Sequence, residues 1–229
     1  MVVATATKTS LSVVLYYPNL IGYLRVICMA LSFYYALQKD AWQVTLVFYL
    51  LAFGGDVVDG YVARAFDQCS GFGGVLDMVT DRVSTCGFLV IVSHLYPTYT
   101  FAFVMLIVLD ISSHWFHVIS VTAHHKSKEA LEHRNPILQW YYSIYPLFGY
   151  CCVGTELFYV FLYVLHHYPN KTVEQLCFYG CLPACILKQV VNVIQLVSAA
   201  DAIAAKDAAE SANNDSSRPV TRSSSRKKA

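Results

Sequence analysis

The most constraining feature of this sequence is a series of long apolar stretches separated by short polar links. They lie at residues 19–37, 42–65, 73–95, 99–123, 136–165 and 174–200. A helix needs about 20 apolar residues to cross roughly 30 Å of hydrocarbon. Only 14% of the residues are charged, whereas soluble domains have about 25%. The sequence therefore predicts an all-α, polytopic membrane protein with six transmembrane helices in a lipid bilayer.

Basic residues are distributed unevenly among the links. Lys126, Lys128 and Arg134 precede the fifth stretch, and five more Lys or Arg residues follow residue 217. Basic links favour the cytosolic side, and an even number of spans places both termini on one side. We therefore expect both termini in the cytosol, a membrane domain over residues 1–203, and a disordered basic cytosolic tail over residues 204–229. The net charge of +1 gives no basis for a nucleic-acid partner.

Four aspartates interrupt the second and third stretches. Asp56 and Asp59 are three residues apart, and Asp77 and Asp81 are four residues apart. Each spacing places a pair on one face of its helix, and the short link between the stretches makes the two helices antiparallel. We therefore expect the four carboxylates to converge at one end of this helix pair.

Four carboxylates in apolar surroundings need compensating charge. One charged side chain at the centre of a bilayer costs about 2.5–3.5 kcal/mol, and like charges held together add to that cost. Arg64 and Arg82 are nearby in the sequence but are too few for four aspartates. Two divalent cations would suffice, and an all-oxygen ligand set favours Mg²⁺ or Mn²⁺ over Zn²⁺.

Small residues accompany these aspartates where the two helices are expected to face each other. They are Gly60, Ala63, Gly73 and Gly74. Small side chains permit close approach of two helices and leave room for a planar ligand. Arg64 follows Gly60 by one turn and offers a planar fork to phosphate oxygens. Cations, an arginine and a floor of small residues together predict a pyrophosphate site.

The pattern Asp-x2-Asp-Gly-x2-Ala-Arg-x8-Gly-x3-Asp-x3-Asp over residues 56–81 resembles the signature of the CDP-alcohol phosphotransferase family. The resemblance implies six helices around a cytosol-facing polar cavity that holds two divalent ions. By position, it implies Asp56, Asp59, Asp77 and Asp81 as metal ligands, Gly60, Arg64 and Ser70 as contacts of the CDP moiety, and Asp81 as the catalytic base.

Residues 17–25, 70–82 and 110–117 further resemble the phosphatidylinositol synthases of eukaryotes, a branch of that family. This resemblance implies transfer of a phosphatidyl group from CDP-diacylglycerol to myo-inositol, with release of CMP, at the endoplasmic reticulum membrane. Glycerol phosphate, serine, choline and ethanolamine are alternative acceptors. A metal-ion transporter is an alternative of a different class, because buried aspartates are typical of transporters as well.

Polar side chains on the fourth and sixth stretches could reach a small polyol, or could satisfy one another between helices. His114, His117 and Lys188 are the candidates for the inositol side. A set of arginines suited to a phosphorylated inositol is not evident in the sequence, which favours the free polyol. The sequence leaves the oligomeric state open, with a homodimer as one alternative.

Overall fold

The computed structural model describes residues 9–38, 40–123 and 135–217, with side chains described up to residues 121 and 211 in the last two ranges. Within these ranges there is no strand, which confirms the predicted all-α class. The helices are α1 (Ser10–Val14), α2 (Tyr17–Ala36), α3 (Trp42–Ala65), α4 (Gly71–Leu95), α5 (Thr100–Ala123), α6 (Pro136–Ser143), α7 (Tyr145–His167), α8 (Lys171–Gln175) and α9 (Leu182–Ser217). The basic link and most of the basic tail used to predict orientation lie outside the described residues.

Five helical segments of the described chain are long and apolar enough to cross a membrane. They are Tyr17–Ala36, Trp42–Ala65, Pro97–Val121, Tyr145–His167 and Lys171–Ser211. These segments agree with a polytopic membrane protein. α4 has 25 residues but carries two aspartates and an arginine, and it is not among the five. The predicted count of six spans is therefore not confirmed.

The fifth apolar stretch forms two helices where one was predicted. α6 ends at Ser143 and α7 begins at Tyr145, and between them Ile144 has a ψ of 79°, outside the helical region. Pro146 lies in the first turn of α7. A proline cannot donate a backbone hydrogen bond, which suits the first turn of a new helix and not the middle of a continuous one.

The last helix is longer than its apolar part. α9 follows a π-helical segment, Leu176–Cys181, and continues to Ser217. Helical structure thus extends past residue 203 into the first part of the segment predicted as a disordered tail. Alanine dominates residues 199–209 and is the strongest helix former, which accounts for the extension.

α2 organises the half of the molecule that contains the aspartates. It packs along α3 and against α4, and both contacts are more extensive than any direct packing of α3 on α4. On the other half, α5 and α7 each pack against α4 and α9. The largest buried apolar cluster joins these helices to α3 through residues that include Tyr49, Phe88 and Tyr163. The expectation that the two aspartate helices face each other directly is therefore wrong, because α2 bridges them.

Candidate active site

The four aspartates of α3 and α4 come together as expected from their spacing. Carboxylate oxygens of Asp56, Asp59 and Asp77 all lie within 4.8 Å of one another. Asp81 lies one helical turn beyond Asp77. Asp59 is the most buried of the four, with 11% of its side chain exposed, and Asp77 is the most open, with 45% exposed. The cluster therefore has a buried floor and a side that a ligand can reach.

Arg25 of α2 contacts all four of these carboxylates. Its Nη1 lies 2.6 Å from Asp59 and 2.7 Å from Asp77. Its Nη2 lies 2.5 Å from Asp81 and 3.1 Å from Asp56. Only 4% of the Arg25 side chain is exposed. A charged hydrogen bond of this kind is roughly twice as strong as a neutral one, so Arg25 is the main counter-ion of the cluster.

α3 is shaped to receive this arginine. A Cβ atom on Gly55 would lie 2.7 Å from Cγ of Arg25, so only glycine leaves enough room for the side chain. The carbonyl of Ala52 accepts a hydrogen bond from Nε of Arg25 at 3.1 Å. Sequence reasoning did not single out Arg25 as a site residue. The signal was available, because an arginine inside an apolar stretch needs an acidic partner as much as an aspartate needs a cation.

The small residues near the aspartates have other roles than the predicted contact between α3 and α4. A Cβ atom on Gly73 would lie 2.9 Å from Oδ1 of Asn19, so Gly73 permits close approach to α2. Gly60 lies beneath the guanidinium of Arg64, whose nitrogens would be 3.5 and 3.7 Å from a Cβ atom there. Gly74 has open space around it. Of these three glycines, only Gly73 therefore serves close helix packing, and its partner is α2.

Arg64 and Ser70, the other predicted CDP contacts, lie at the ends of α3 and α4. Arg64 is exposed and makes no ion pair within the described residues. Ser70 is the N-cap of α4, and its Oγ accepts a hydrogen bond from the backbone N–H of Gly73 at 3.0 Å. The N-terminus of a helix attracts anions. This end of the helix pair can therefore offer both a free guanidinium and a helix N-terminus to phosphate groups.

A cavity of about 380 Å³ adjoins the aspartates. Its lining includes three of the four aspartates and all three residues predicted for the inositol side: Asp56, Asp77, Asp81, His114, His117 and Lys188. The predicted catalytic and acceptor residues thus share one space.

An ion pair between Arg82 and Asp110 forms part of the cavity wall. Nη1 of Arg82 donates to both carboxylate oxygens of Asp110, at 2.8 and 2.9 Å. Its Nη2 is 3.6 Å from Asp81. Arg82 is thus mainly the counter-ion of Asp110. The sequence suggested it as a counter-ion of the four aspartates, and among these it contacts only Asp81, at the longer distance.

The tautomer of His114 follows from its contact with the backbone of Asp110. Nδ1 of His114 lies 2.8 Å from the Asp110 carbonyl oxygen. Because a carbonyl only accepts, Nδ1 carries the proton, and in the neutral ring Nε2 is an acceptor. His114 therefore offers the cavity a hydrogen-bond acceptor.

Glu156 of α7 is a second charged lining residue that sequence reasoning missed. Its Oε1 accepts from the hydroxyl of Thr85 at 2.6 Å, and its Oε2 accepts from the hydroxyl of Tyr49 at 2.8 Å. The signal was again a lone charge in an apolar stretch. These two hydrogen bonds fix the carboxylate at the meeting point of α3, α4 and α7.

Comparison with known proteins shows which sequences this chain resembles. Residues 15–200 match the family model for CDP-alcohol phosphatidyltransferase. A CDP-diacylglycerol–inositol 3-phosphatidyltransferase of Homo sapiens is 38% identical, over 88% of this chain and 97% of that protein. The enzyme of the same name from Candida albicans is 37% identical, over 92% of this chain and 93% of that protein. A probable CDP-diacylglycerol–inositol 3-phosphatidyltransferase 2 of Arabidopsis thaliana is 36% identical, over 86% and 93%. No solved structure gives a significant match.

Proposed function

The chain belongs to the CDP-alcohol phosphatidyltransferase family, and on that premise we propose that it transfers the phosphatidyl group of CDP-diacylglycerol to myo-inositol and releases CMP. The observation that carries this proposal is the similarity, along most of both chains, to enzymes that bear the name of this reaction. The cavity that joins the aspartates to a polar, partly uncharged wall supports it.

The aspartate cluster fits divalent metal ions, on which enzymes of this family depend. Three carboxylates present oxygens within 4.8 Å of one another, and hard ions such as Mg²⁺ or Mn²⁺ prefer such ligands. We assign Asp56, Asp59, Asp77 and Asp81 to two ions. Bound ions would neutralise the pyrophosphate and make its phosphorus easier to attack. Because Arg25 contacts the same four carboxylates, it competes with the ions for these oxygen atoms.

Gly60, Arg64 and Ser70 are assigned to the CDP moiety. The guanidinium of Arg64 lies over Gly60 and has no partner within the described residues, so its planar fork is free for two phosphate oxygens. Ser70 caps the nearby N-terminus of α4. These groups would hold the cytidine side of the pyrophosphate while the acyl chains stay in the bilayer.

Asp81 is assigned as the general base. Its carboxylate lines the cavity and is oriented by Nη2 of Arg25 at 2.5 Å. As an inositol hydroxyl attacks, Asp81 accepts its proton, and a bond forms between the hydroxyl oxygen and the phosphorus that carries the diacylglycerol. The bond from that phosphorus to the bridging oxygen breaks, and the bridging oxygen leaves with CMP. His114, His117 and Lys188 would orient the inositol ring for this attack.

We place the enzyme in the endoplasmic reticulum membrane, with both termini and the cavity on the cytosolic side, as a monomer or a homodimer. Cys69, next to the proposed CDP site, allows a test because it is the one exposed cysteine. A membrane-impermeant thiol reagent should label it in intact microsomes. Labelling only after the microsomes are opened would place the site on the lumenal side.

The test of the reaction is a CMP-release assay with purified protein, CDP-diacylglycerol and Mg²⁺ or Mn²⁺, in which each alcohol is supplied separately. We expect turnover with myo-inositol and little with glycerol phosphate, serine, choline or ethanolamine. Turnover with one of these others alone would assign a different acceptor. Metal uptake into liposomes without turnover of any alcohol would favour a transporter.

A further inference from the structure

The charged residues that line the cavity are balanced by ion pairs, with two exceptions. Arg25 pairs with the aspartate cluster, and Arg82 pairs with Asp110. Glu156 and Lys188 have no ion pair within 4 Å among the described residues. Among the described residues, these two groups therefore face the cavity without a direct ion pair, and Arg82 acts on Glu156 only at longer range.

Glu156 is held as an acceptor. Both of its carboxylate oxygens receive hydroxyl hydrogen bonds, from Thr85 and Tyr49, and such bonds favour the ionised form of a carboxylate. Tyr49 is 1% exposed and stacks on Phe88, with a centroid distance of 4.0 Å, so this donor is immobile. Each oxygen can accept a further hydrogen bond. The carboxylate is thus oriented to receive ligand hydroxyl groups.

Lys188 supplies the complementary group. It lies on α9, is 8% exposed and lines the cavity. A buried ammonium group without a partner is costly, and the described residues give it no hydrogen bond. A ligand that brings oxygen acceptors to this part of the cavity would remove that cost.

We propose that Glu156 and Lys188 form a polyol clamp that selects an uncharged, hydroxyl-rich acceptor and rejects phosphorylated or cationic alcohols. The clamp rests on the proposed function and adds Glu156 to the binding residues for the acceptor. A hydroxyl both donates and accepts, so neighbouring hydroxyls of one ring satisfy Glu156 and Lys188 together.

Acceptors whose charged group has a single sign satisfy only half of the clamp. The oxygens of a phosphate dianion only accept, and Glu156 and the nearby aspartates repel them. Choline or ethanolamine would pair with Glu156 and leave Lys188 without an acceptor. Serine has groups for both charges, but it has no further hydroxyl once its own attacks. The cavity lining also includes the polar residues Ser84, Tyr142 and Gln195, of which Tyr142 donates to Gln195 at 2.8 Å.

Glu156→Gln tests the clamp because it keeps the shape and removes the charge. Losing a hydrogen bond to a charged group should raise the KM for myo-inositol about tenfold or more, with the KM for CDP-diacylglycerol little changed. myo-Inositol 1-phosphate, which we expect to be a poor inhibitor of the wild type, should become a competitive inhibitor of the variant. Glu174→Gln, on the exposed part of α8, is the matched control.

Lys188→Met tests the positively charged side of the clamp. It should raise the KM for myo-inositol without any gain in inhibition by the phosphate ester, because the negative charge of Glu156 stays. Lys171→Met, at an exposed position, is its control. Since a purely structural defect would not separate the two variants by ester inhibition, this difference keeps the test valid even if one variant folds poorly.

The outcomes separate the clamp from the reaction itself. A wild type that does not use myo-inositol refutes the proposed function. A wild type that does use it, with an unchanged KM for inositol in Glu156→Gln or Lys188→Met, refutes the clamp and leaves the reaction in place.

Discussion

Arg25→Met removes the one described cation that contacts all four aspartates and keeps an unbranched side chain. In the wild type, Arg25 makes contacts of 2.5–3.1 Å to the four carboxylates. Without the guanidinium, four negative charges face one another with no cation from α2. We therefore expect the variant to be less stable and to depend on added divalent ions.

The size of the effect follows from how buried each pair is. Removing one partner of a buried ion pair costs about 3–5 kcal/mol. Only the pair with Asp59 is well buried, since 4% of Arg25 and 11% of Asp59 are exposed. The other three carboxylates are 31–45% exposed, so solvent screens them. We therefore expect the lower end of the range, about 3 kcal/mol, which corresponds to a Tm lowered by roughly 6–12 °C.

The assay is thermal unfolding of detergent-purified protein, once in EDTA and once in excess Mg²⁺. In EDTA, the Tm of Arg25→Met should be lowered by the full amount. Mg²⁺ should stabilise the variant more than the wild type, because in the wild type the ions must displace contacts of Arg25. Arg64→Met is the control, since Arg64 is exposed and unpaired within the described residues and should hardly change the Tm.

Two results would refute this reasoning. An unchanged Tm in EDTA would mean that Arg25 does not balance the aspartates. An equal loss in EDTA and in Mg²⁺ would mean that the ions do not bind at the carboxylates that Arg25 contacts.

Two further substitutions test the geometry around the cluster. Gly55→Ala would place a Cβ atom 2.7 Å from Cγ of Arg25, so we expect a large loss of CMP release. Gly54→Ala is the control, because a Cβ atom there meets nothing within 4 Å, and its activity should be close to wild type. Equal activities of the two variants would show that Arg25 is not confined by α3. Asp81→Asn should abolish turnover while binding of CDP-diacylglycerol, measured by titration, persists; near-normal turnover would exclude Asp81 as the base.

Spacing within a helix could be read from the sequence, and placement between distant helices could not. Asp77 and Asp81 share a face because they are four residues apart, whatever packs against them. That α2 brings Arg25 to them depends on which helices become neighbours, which local periodicity does not specify. The same holds for Glu156, whose partners Tyr49 and Thr85 come from two other helices.

The break between α6 and α7 was also only partly predictable from the sequence. Pro146 was a visible signal for a helix start, yet the surrounding apolar run favoured one continuous span, and the structure divides it at Ile144. Hydropathy measures the fit to a bilayer, and it does not register a single missing N–H donor. The boundary was therefore recoverable from the proline and not from the composition.

α4 connects the phosphate chemistry to acceptor recognition through a four-residue repeat. Asp77, Asp81 and Thr85 all line the cavity, and each step of four residues advances about 6 Å along the helix. Thr85 also donates to Glu156, so the proposed base Asp81 and the proposed clamp are held by consecutive turns of one helix. Because the helix fixes this spacing, an acceptor bound at Glu156 would have its attacking hydroxyl at a set distance from Asp81. The two proposed roles, acceptor selection at Glu156 and proton removal at Asp81, would therefore be coupled through the geometry of α4.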